Sequence, residues 1–191
     1  MINEPVAVTL LVIEALERLG VAYVIGGSLA SAVHGVPRAT LDTDLVADLE
    51  LVHARPLAQA LHPAFYADEG AIRAAIGQGQ SFNVVHLETM FKVDVFVAGG
   101  KAFARQQLAR RGVQVVADDP ERTAYVLSAE DTLLAKLDWY RQGGEVSERQ
   151  WRDVLGVLRA QTARLDQAYL RQWAVQLNVR DLLERALSEA A

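Results

Sequence analysis

Three aspartates and a glycine–serine turn are the residues of this 191-residue chain whose types and spacing could do chemistry. One residue separates Asp42 from Asp44, so in a strand both side chains point to the same face. Two carboxylates held roughly 7 Å apart along a strand repel each other unless a cation lies between them. Because Mg²⁺ prefers hard oxygen ligands, the pair predicts a magnesium site, and a solvated strand edge is the alternative.

The third aspartate lies in the segment FKVDVFV, whose alternation is typical of a strand with one buried face. Asp94 shares its face with Lys92 and Phe96, while the opposite face consists of Phe91, Val93, Val95 and Val97. A carboxylate in the middle of a strand is costly to bury unless it is charged beside a cation. The pattern therefore predicts a third metal ligand, and an exposed ion pair between Lys92 and Asp94 is the alternative.

A glycine–serine turn follows the apolar run VAYVI and precedes a short predicted helix. Gly26 and Gly27 allow the backbone to approach an anion closely, and free N–H groups at the helix start point towards it. The Ser28 hydroxyl adds one more donor. The turn therefore predicts a phosphate-binding site, and simple capping of the helix by Ser28 is the alternative.

Taken together, Gly26-Gly27-Ser28, Asp42-x-Asp44 and Asp94 resemble the DNA polymerase beta-like nucleotidyltransferase superfamily. The segment HGVPRATLDTDLV is similar to the minimal and AbiEii-like toxin–antitoxin branches. The resemblance implies a Mg-dependent transfer of a nucleoside monophosphate from an NTP to a hydroxyl acceptor, with release of pyrophosphate.

The same resemblance implies a role for each motif residue. Asp42 and Asp44 would hold the nucleotide-bound Mg²⁺, and the three aspartates together a second ion, as in two-metal sites. Asp94 would also help to deprotonate the acceptor hydroxyl. Gly26, Gly27 and Ser28 would bind the β- and γ-phosphates. Arg38 and Lys136 are further candidate nucleotide-binding cations, and a solvated loop arginine and an exposed surface lysine are the respective alternatives.

The resemblance is weaker in the last third of the chain. SAEDTLLAKL followed by WRDVLGVL is similar to a helical segment of the AbiEii-like branch, in which a lysine and an Asp-x-x-Asp pair recur. Lys136 and Asp153 match that pattern, but Gly156 stands in place of the second acid. A catalytically inactive module that binds a protein partner, for example in a toxin–antitoxin pair, is therefore the alternative function.

Hydrophobic periodicity predicts the elements that must position these residues. We expect an α+β (α/β) fold in which a nucleotidyltransferase-like mixed β-sheet with flanking helices fills residues 1–120. A C-terminal helical region, residues 121–191, is expected to pack on this core, with the helix at 130–141 facing Asp94. Strands are predicted at 21–25, 41–46, 65–69, 82–87, 91–97 and 113–117, with 82–87 and 91–97 as an antiparallel pair. Helices are predicted at 6–19, 28–34, 57–61, 71–80, 101–111, 130–141, 148–160, 166–176 and 179–190. Ser147 and Asn178 are predicted to cap the starts of the helices at 148 and 179.

Composition limits the compartment and the partners. The chain contains no cysteine, which excludes disulfides and thiolate metal sites, and no apolar run approaches the roughly 18 residues of a membrane span. We therefore expect a cytoplasmic protein without membrane contact. The net charge of −5 argues against a long RNA acceptor and favours a protein or a small molecule, although an RNA end stays open.

Overall fold

The computed structural model describes residues 4–35, 42–118 and 120–190. These residues divide into two compact units. The first contains the described residues of Met1–Gly26 and Thr40–Val126, and the second contains those of Gly27–Ala39 and Leu127–Ala191. The glycine–serine turn therefore spans a unit boundary, because Gly26 belongs to the first unit and Gly27 to the second.

The first unit combines a sheet with four described helices. Its helices are α1 (Glu4–Arg18), α3 (Ala54–Leu61), α4 (Glu69–Gln78) and α5 (Ala102–Arg110), and a 3₁₀ turn covers Leu51–His53. Its strands are β1 (Tyr23–Ile25), β2 (Asp42–Ala47), β3 (Phe65–Tyr66), β4 (Ser81–His86), β5 (Lys92–Val97), β6 (Gly112–Asp118) and β7 (Glu121–Val126).

The seven described strands form one mixed sheet in the order β3-β4-β5-β2-β1-β7-β6. Strands β4 and β5 pair antiparallel as predicted, and β2 lies parallel to β5 in the centre of the sheet. The prediction that the chain turns helical after Pro120 was wrong, because β7 follows and returns antiparallel along β6. The strand was missed because the alternation in ERTAYV is only six residues long and because Pro120, directly before it, was interpreted as the start of the helical region.

One face of the sheet is the core of this unit, and a polar contact fixes which face it is. Along β2 and β5 every second residue is buried, including Thr43, Leu45, Val93 and Val95. Thr43 is fully buried, and its Oγ1 lies 3.0 Å from Oγ1 of Thr9 on α1. A shift of β2 by one residue would bury Asp42 and Asp44 instead, so packing and this contact specify the register.

The second unit is helical in its described part. It contains α2 (Gly27–His34), α6 (Ala129–Gln142), α7 (Glu148–Gln161), α8 (Gln167–Gln176) and α9 (Arg180–Ala190). Ser147 caps α7 as predicted, because its side chain accepts a hydrogen bond from the Gln150 amide. Asn178, predicted as a helix cap, was assigned wrongly: α9 begins at Arg180, and Asn178 has a left-handed backbone with φ 56°.

A close approach of two backbones gives Gly35 a structural role. A Cβ added to Gly35, directly after α2, would lie 3.1 Å from the Gly156 carbonyl carbon and 3.0 Å from the Val157 nitrogen. The end of α2 thus packs tightly on α7 where the resembled family has an acid. In the described part of the chain, no helix is both long and apolar enough to cross a membrane.

Candidate active site

The three predicted aspartates lie on the same face of the sheet, opposite the core. Asp44 and Asp94 are direct neighbours in the parallel pairing of β2 with β5, and Asp42 is the neighbour of Lys92. All four side chains are half-buried, whereas the residues between them are fully buried. The sequence predicted that Asp42 and Asp44 share one face of their strand and that Asp94 and Lys92 share one face of theirs. Both predictions are confirmed. We call these four side chains the aspartate face.

Lys92 is the cation of the aspartate face. Its ammonium lies 2.7 Å from Oδ2 of Asp94, and the two side chains are 41% and 21% exposed. The hydrogen bond that Lys92 donates to Asp94 raises the pKa of Lys92, and the charges of Asp94, Asp42 and Asp44 add to that effect. All three carboxylates of the aspartate face therefore act on the Lys92 ammonium, and Asp94 acts on it most strongly.

Asn83 lies beside the aspartate face on the neighbouring strand, and the sequence analysis did not identify it. Strand β4 pairs antiparallel with β5, which makes Asn83 the direct neighbour of Asp94 and Val85 that of Lys92. Asn83 is exposed while Phe82 and Val84 on either side are buried. Its position in the alternation of SFNVVH was the available signal, but only the strand register shows which carboxylate it adjoins.

The glycine–serine turn begins beside Asp44. The Gly26 amide donates a 2.8 Å hydrogen bond to the Asp44 carbonyl, which attaches the end of β1 to β2. Gly27 has a positive φ of 56°, a conformation that favours glycine, and it opens α2. Ser28 is buried in the first turn of that helix. Arg38 lies outside the described residues.

The aspartate face has the donor chemistry that magnesium requires, but it is not arranged as a three-ligand metal centre. Among the side chains in residues 4–35, 42–118 and 120–190, no three His, Cys, Asp or Glu residues form a group that could hold a metal ion. The carboxylate of Asp94 instead contacts the Lys92 ammonium. Asp42 and Asp44 alone fit Mg²⁺ that keeps waters and substrate phosphates as its other ligands.

Lys136 is buried, and this corrects one sequence-based alternative. Its ammonium donates a 2.9 Å hydrogen bond to Oδ2 of Asp153, and the two side chains are only 10% and 9% exposed. The interpretation of Lys136 as an exposed surface lysine was therefore wrong. Helices α6 and α7 bring together the two residues that the family resemblance singled out.

The first turn of α6 adds two further buried acids to this unit. Asp131 accepts a 2.5 Å hydrogen bond from the Tyr169 hydroxyl, and Glu130 accepts one from the Asp166 amide. His34 contributes a ring nitrogen 2.6 Å from the Leu127 carbonyl oxygen, which makes that nitrogen the donor and gives the ring a structural contact. These contacts join α2, α6 and α8 within the helical unit.

Comparison with known proteins identifies the fold but not a family. No protein-family model matches the sequence, and no curated protein is significantly similar to it. The antibiotic-resistance factor ANT(2'')-Ia superposes with a TM-score of 0.62 at 11% identity, covering 97% of this chain and 99% of that one.

Two further solved structures agree with that match. An antigenic nucleotidyltransferase-like protein from Paracoccidioides brasiliensis has a TM-score of 0.53 at 18% identity, covering 94% of this chain and 91% of that one. The lincosamide antibiotic adenylyltransferase LnuA, solved with lincomycin bound, has a TM-score of 0.51 at 14% identity, covering 82% and 96%. The prediction of a nucleotidyltransferase-like mixed sheet with flanking helices is thus confirmed.

Proposed function

We propose that this chain is a Mg-dependent nucleotidyltransferase that moves an NMP from an NTP to a hydroxyl acceptor. The observation that carries the proposal is the aspartate face: three carboxylates adjacent in the register of two central strands, on the side opposite the core. Carboxylates placed side by side in this way are oxygen donors of the kind that Mg²⁺ binds together with waters and substrate phosphates. The fold shared with LnuA supports the proposal.

In this function Asp42 and Asp44 bind the magnesium ion that accompanies the triphosphate. The ion supplies charge neutralisation at the phosphates and at the leaving oxygen. The Gly27 and Ser28 amides at the start of α2 are the proposed donors to the β- and γ-phosphates. Arg38 and Lys136 stay predicted nucleotide contacts, and a second Mg²⁺ stays a prediction.

Asp94 receives the proton of the acceptor hydroxyl. The acceptor oxygen forms a bond to the α-phosphorus, the bond from that phosphorus to its bridging oxygen breaks, and pyrophosphate leaves. The Lys92 ammonium holds Asp94 in the absence of substrate. It must release this carboxylate, or move to a phosphate, before Asp94 can act as a base. The Asn83 amide is placed to orient Asp94 at that stage.

The comparisons favour a small molecule as the acceptor. LnuA is an adenylyltransferase of a lincosamide antibiotic, and ANT(2'')-Ia is an antibiotic-resistance factor. We therefore place a small hydroxyl-bearing molecule before a protein side chain or an RNA end. The toxin–antitoxin branch, a protein partner and a purely regulatory role stay predictions that rest on the motif resemblance alone.

The test is transfer from each α-labelled NTP in the presence of Mg²⁺ and a cell extract separated into small-molecule, protein and RNA fractions. Label in one fraction together with pyrophosphate release supports the proposal and identifies the acceptor class. Asp44→Asn should lower transfer by more than a hundredfold, a typical cost of losing a group that binds the catalytic metal. The melting temperature in EDTA checks that the variant is folded, so that the loss can be assigned to the site.

Asp48→Asn is the matched control, since Asp48 directly follows β2 and its exposed side chain lies outside the aspartate face. This variant should transfer at the wild-type rate. Equal loss in both variants would mean that net charge, not the aspartate face, governs the reaction. Mg-NTP binding without pyrophosphate release in any fraction would contradict catalysis and leave a nucleotide-binding module.

A further inference from the structure

The outer strand β6 exposes an apolar surface at the edge of the sheet. Within the described part of the chain, β6 pairs with β7 and with no other strand. Val113 is 57% exposed and Val115 is 45% exposed, and Tyr125, the direct neighbour of Val113 on β7, is 36% exposed. We call these three side chains the β6 patch. An edge strand with unpaired backbone groups and exposed valines is a template for another strand.

The charges at the two ends of β6 have opposite signs. Arg110 and Arg111 directly precede the strand, whereas Asp118 ends it and lies opposite Glu121 at the turn into β7. The guanidinium of Arg111 lies 4.5 Å from the ring centroid of Tyr125, which holds this charge beside the β6 patch. The edge therefore runs from a basic end to an acidic end.

We propose that β6 pairs antiparallel with the β6 strand of a second copy of this chain. Antiparallel pairing brings the basic end of each strand towards the acidic end of the other, so the long Arg111 side chain comes close to Asp118 twice across a two-fold axis. A second copy is favoured over an unrelated partner because this charge pattern is complementary to itself. The same pairing places the exposed valines of the two β6 strands side by side and satisfies the outer backbone groups.

An irregularity in the strand limits the length of the ladder. The pairing of β6 with β7 shifts between Val115 and Ala117, so the regular part of β6 is Gly112–Val115. Bulges often end pairing at exposed edges. The new interface therefore depends on a short ladder, on the valines beside it and on the two charged contacts, which predicts a dimer that dissociates on dilution.

Sedimentation velocity of the purified chain over a wide concentration range tests the proposal. We expect a monomer–dimer equilibrium in the wild type, which Val115→Lys abolishes. Arg111→Glu and Asp118→Arg should each weaken the dimer about tenfold or more, since every change turns two attractive contacts into repulsive ones. Arg73→Glu on α4 is the matched control, because its exposed guanidinium pairs only locally with Glu69 and lies far along the chain from β6.

Mixing the two single variants makes the experiment decisive. In a heterodimer of Arg111→Glu with Asp118→Arg, both charged contacts are attractive again, so the equimolar mixture should dimerise as the wild type does. The double variant should also recover. A wild type that stays monomeric at all concentrations, a dimer that survives all β6 variants, or single variants that do not rescue each other would each overturn the proposal. Far-UV circular dichroism confirms that each variant is folded.

Discussion

Two lysine–aspartate pairs in this chain have the same chemistry and nearly the same geometry but different surroundings. Lys92 and Asp94 are 2.7 Å apart on the sheet, and Lys136 and Asp153 are 2.9 Å apart between α6 and α7. The first pair is 41% and 21% exposed, and the second is 10% and 9% exposed. Distance alone would therefore rank the two pairs as equals, whereas burial separates them.

The difference in burial decides what each pair can do. Water and ions reach Lys92 and Asp94, so the contact costs little to open and another cation can replace the ammonium. Lys136 and Asp153 have lost most of their hydration, so removal of either charge leaves the other with its desolvation penalty and without this contact. The pair on the aspartate face suits a site that must exchange partners, and the pair in the helical unit suits a fixed contact between helices.

The largest expected effect is from breaking the buried pair. Lys136→Met should lower the free energy of unfolding by about 3 kcal/mol, because it leaves the Asp153 carboxylate buried without its ammonium. Urea denaturation followed by circular dichroism measures this loss. Arg171→Met is the matched control, since the Arg171–Glu184 pair is 49% and 45% exposed and should cost less than about 1 kcal/mol. Equal losses would remove the distinction between buried and exposed pairs.

The second largest expected effect is the recovery of stability when both charges of the buried pair are removed. The double variant Lys136→Met with Asp153→Leu should regain most of the stability lost in Lys136→Met, because apolar residues of similar volume often replace a buried pair without cost. The same urea titration gives the coupling between the two sites through a double-mutant cycle. A double variant no more stable than Lys136→Met would show that packing of the lysine stem, not the charge pair, carries the contact.

A smaller effect is expected from breaking the pair on the aspartate face. In EDTA, Lys92→Met should change the free energy of unfolding by less than about 1 kcal/mol. When Mg²⁺ is added without nucleotide, the melting temperature of this variant should rise more than that of the wild type, because a ligand that prefers the native state stabilises it and the ammonium no longer competes. Arg73→Met controls for the loss of a positive charge, and an equal rise in all three proteins would contradict competition at Asp94.

The sequence predicted the strands of the aspartate face well because alternation is a local signal. Asp42 and Asp44 on one strand, and Asp94 with Lys92 on another, follow from side chains that alternate with period two. The neighbours Asp44–Asp94 and Asn83–Asp94 depend on strand register across many residues, which no local pattern contains.

Burial of polar residues was the other feature that the sequence could not supply. Lys136 lies on a helix where a lysine could equally extend into water, and only the packing of α7 determines that Asp153 meets it. Strand β7 was missed for a related reason: its six residues gain their structure from pairing with β6 and β1, not from their own propensity.

The smallest expected effect concerns an arginine–aspartate pair more exposed than either lysine pair. Arg141 hydrogen-bonds Asp181, whose side chain is 70% exposed, and this bond holds the pKa of Asp181 below its ordinary value of 3.8. A carboxyl whose pKa is depressed in the folded state adds stability at pH values above 3.8, and that stability is lost as the pH falls through the lower pKa of the folded state.

The urea midpoint of the wild type should thus fall slightly more than that of Asp181→Asn between pH 5 and about pH 2. At pH 7 the wild type should be only slightly more stable than Asp181→Asn, because Arg141 keeps a second partner in Glu145 at 3.0 Å, and this difference should vanish near pH 2. A large difference at pH 7 would mean that exposure does not rank these pairs, and the contrast between Lys92 and Lys136 would need another explanation.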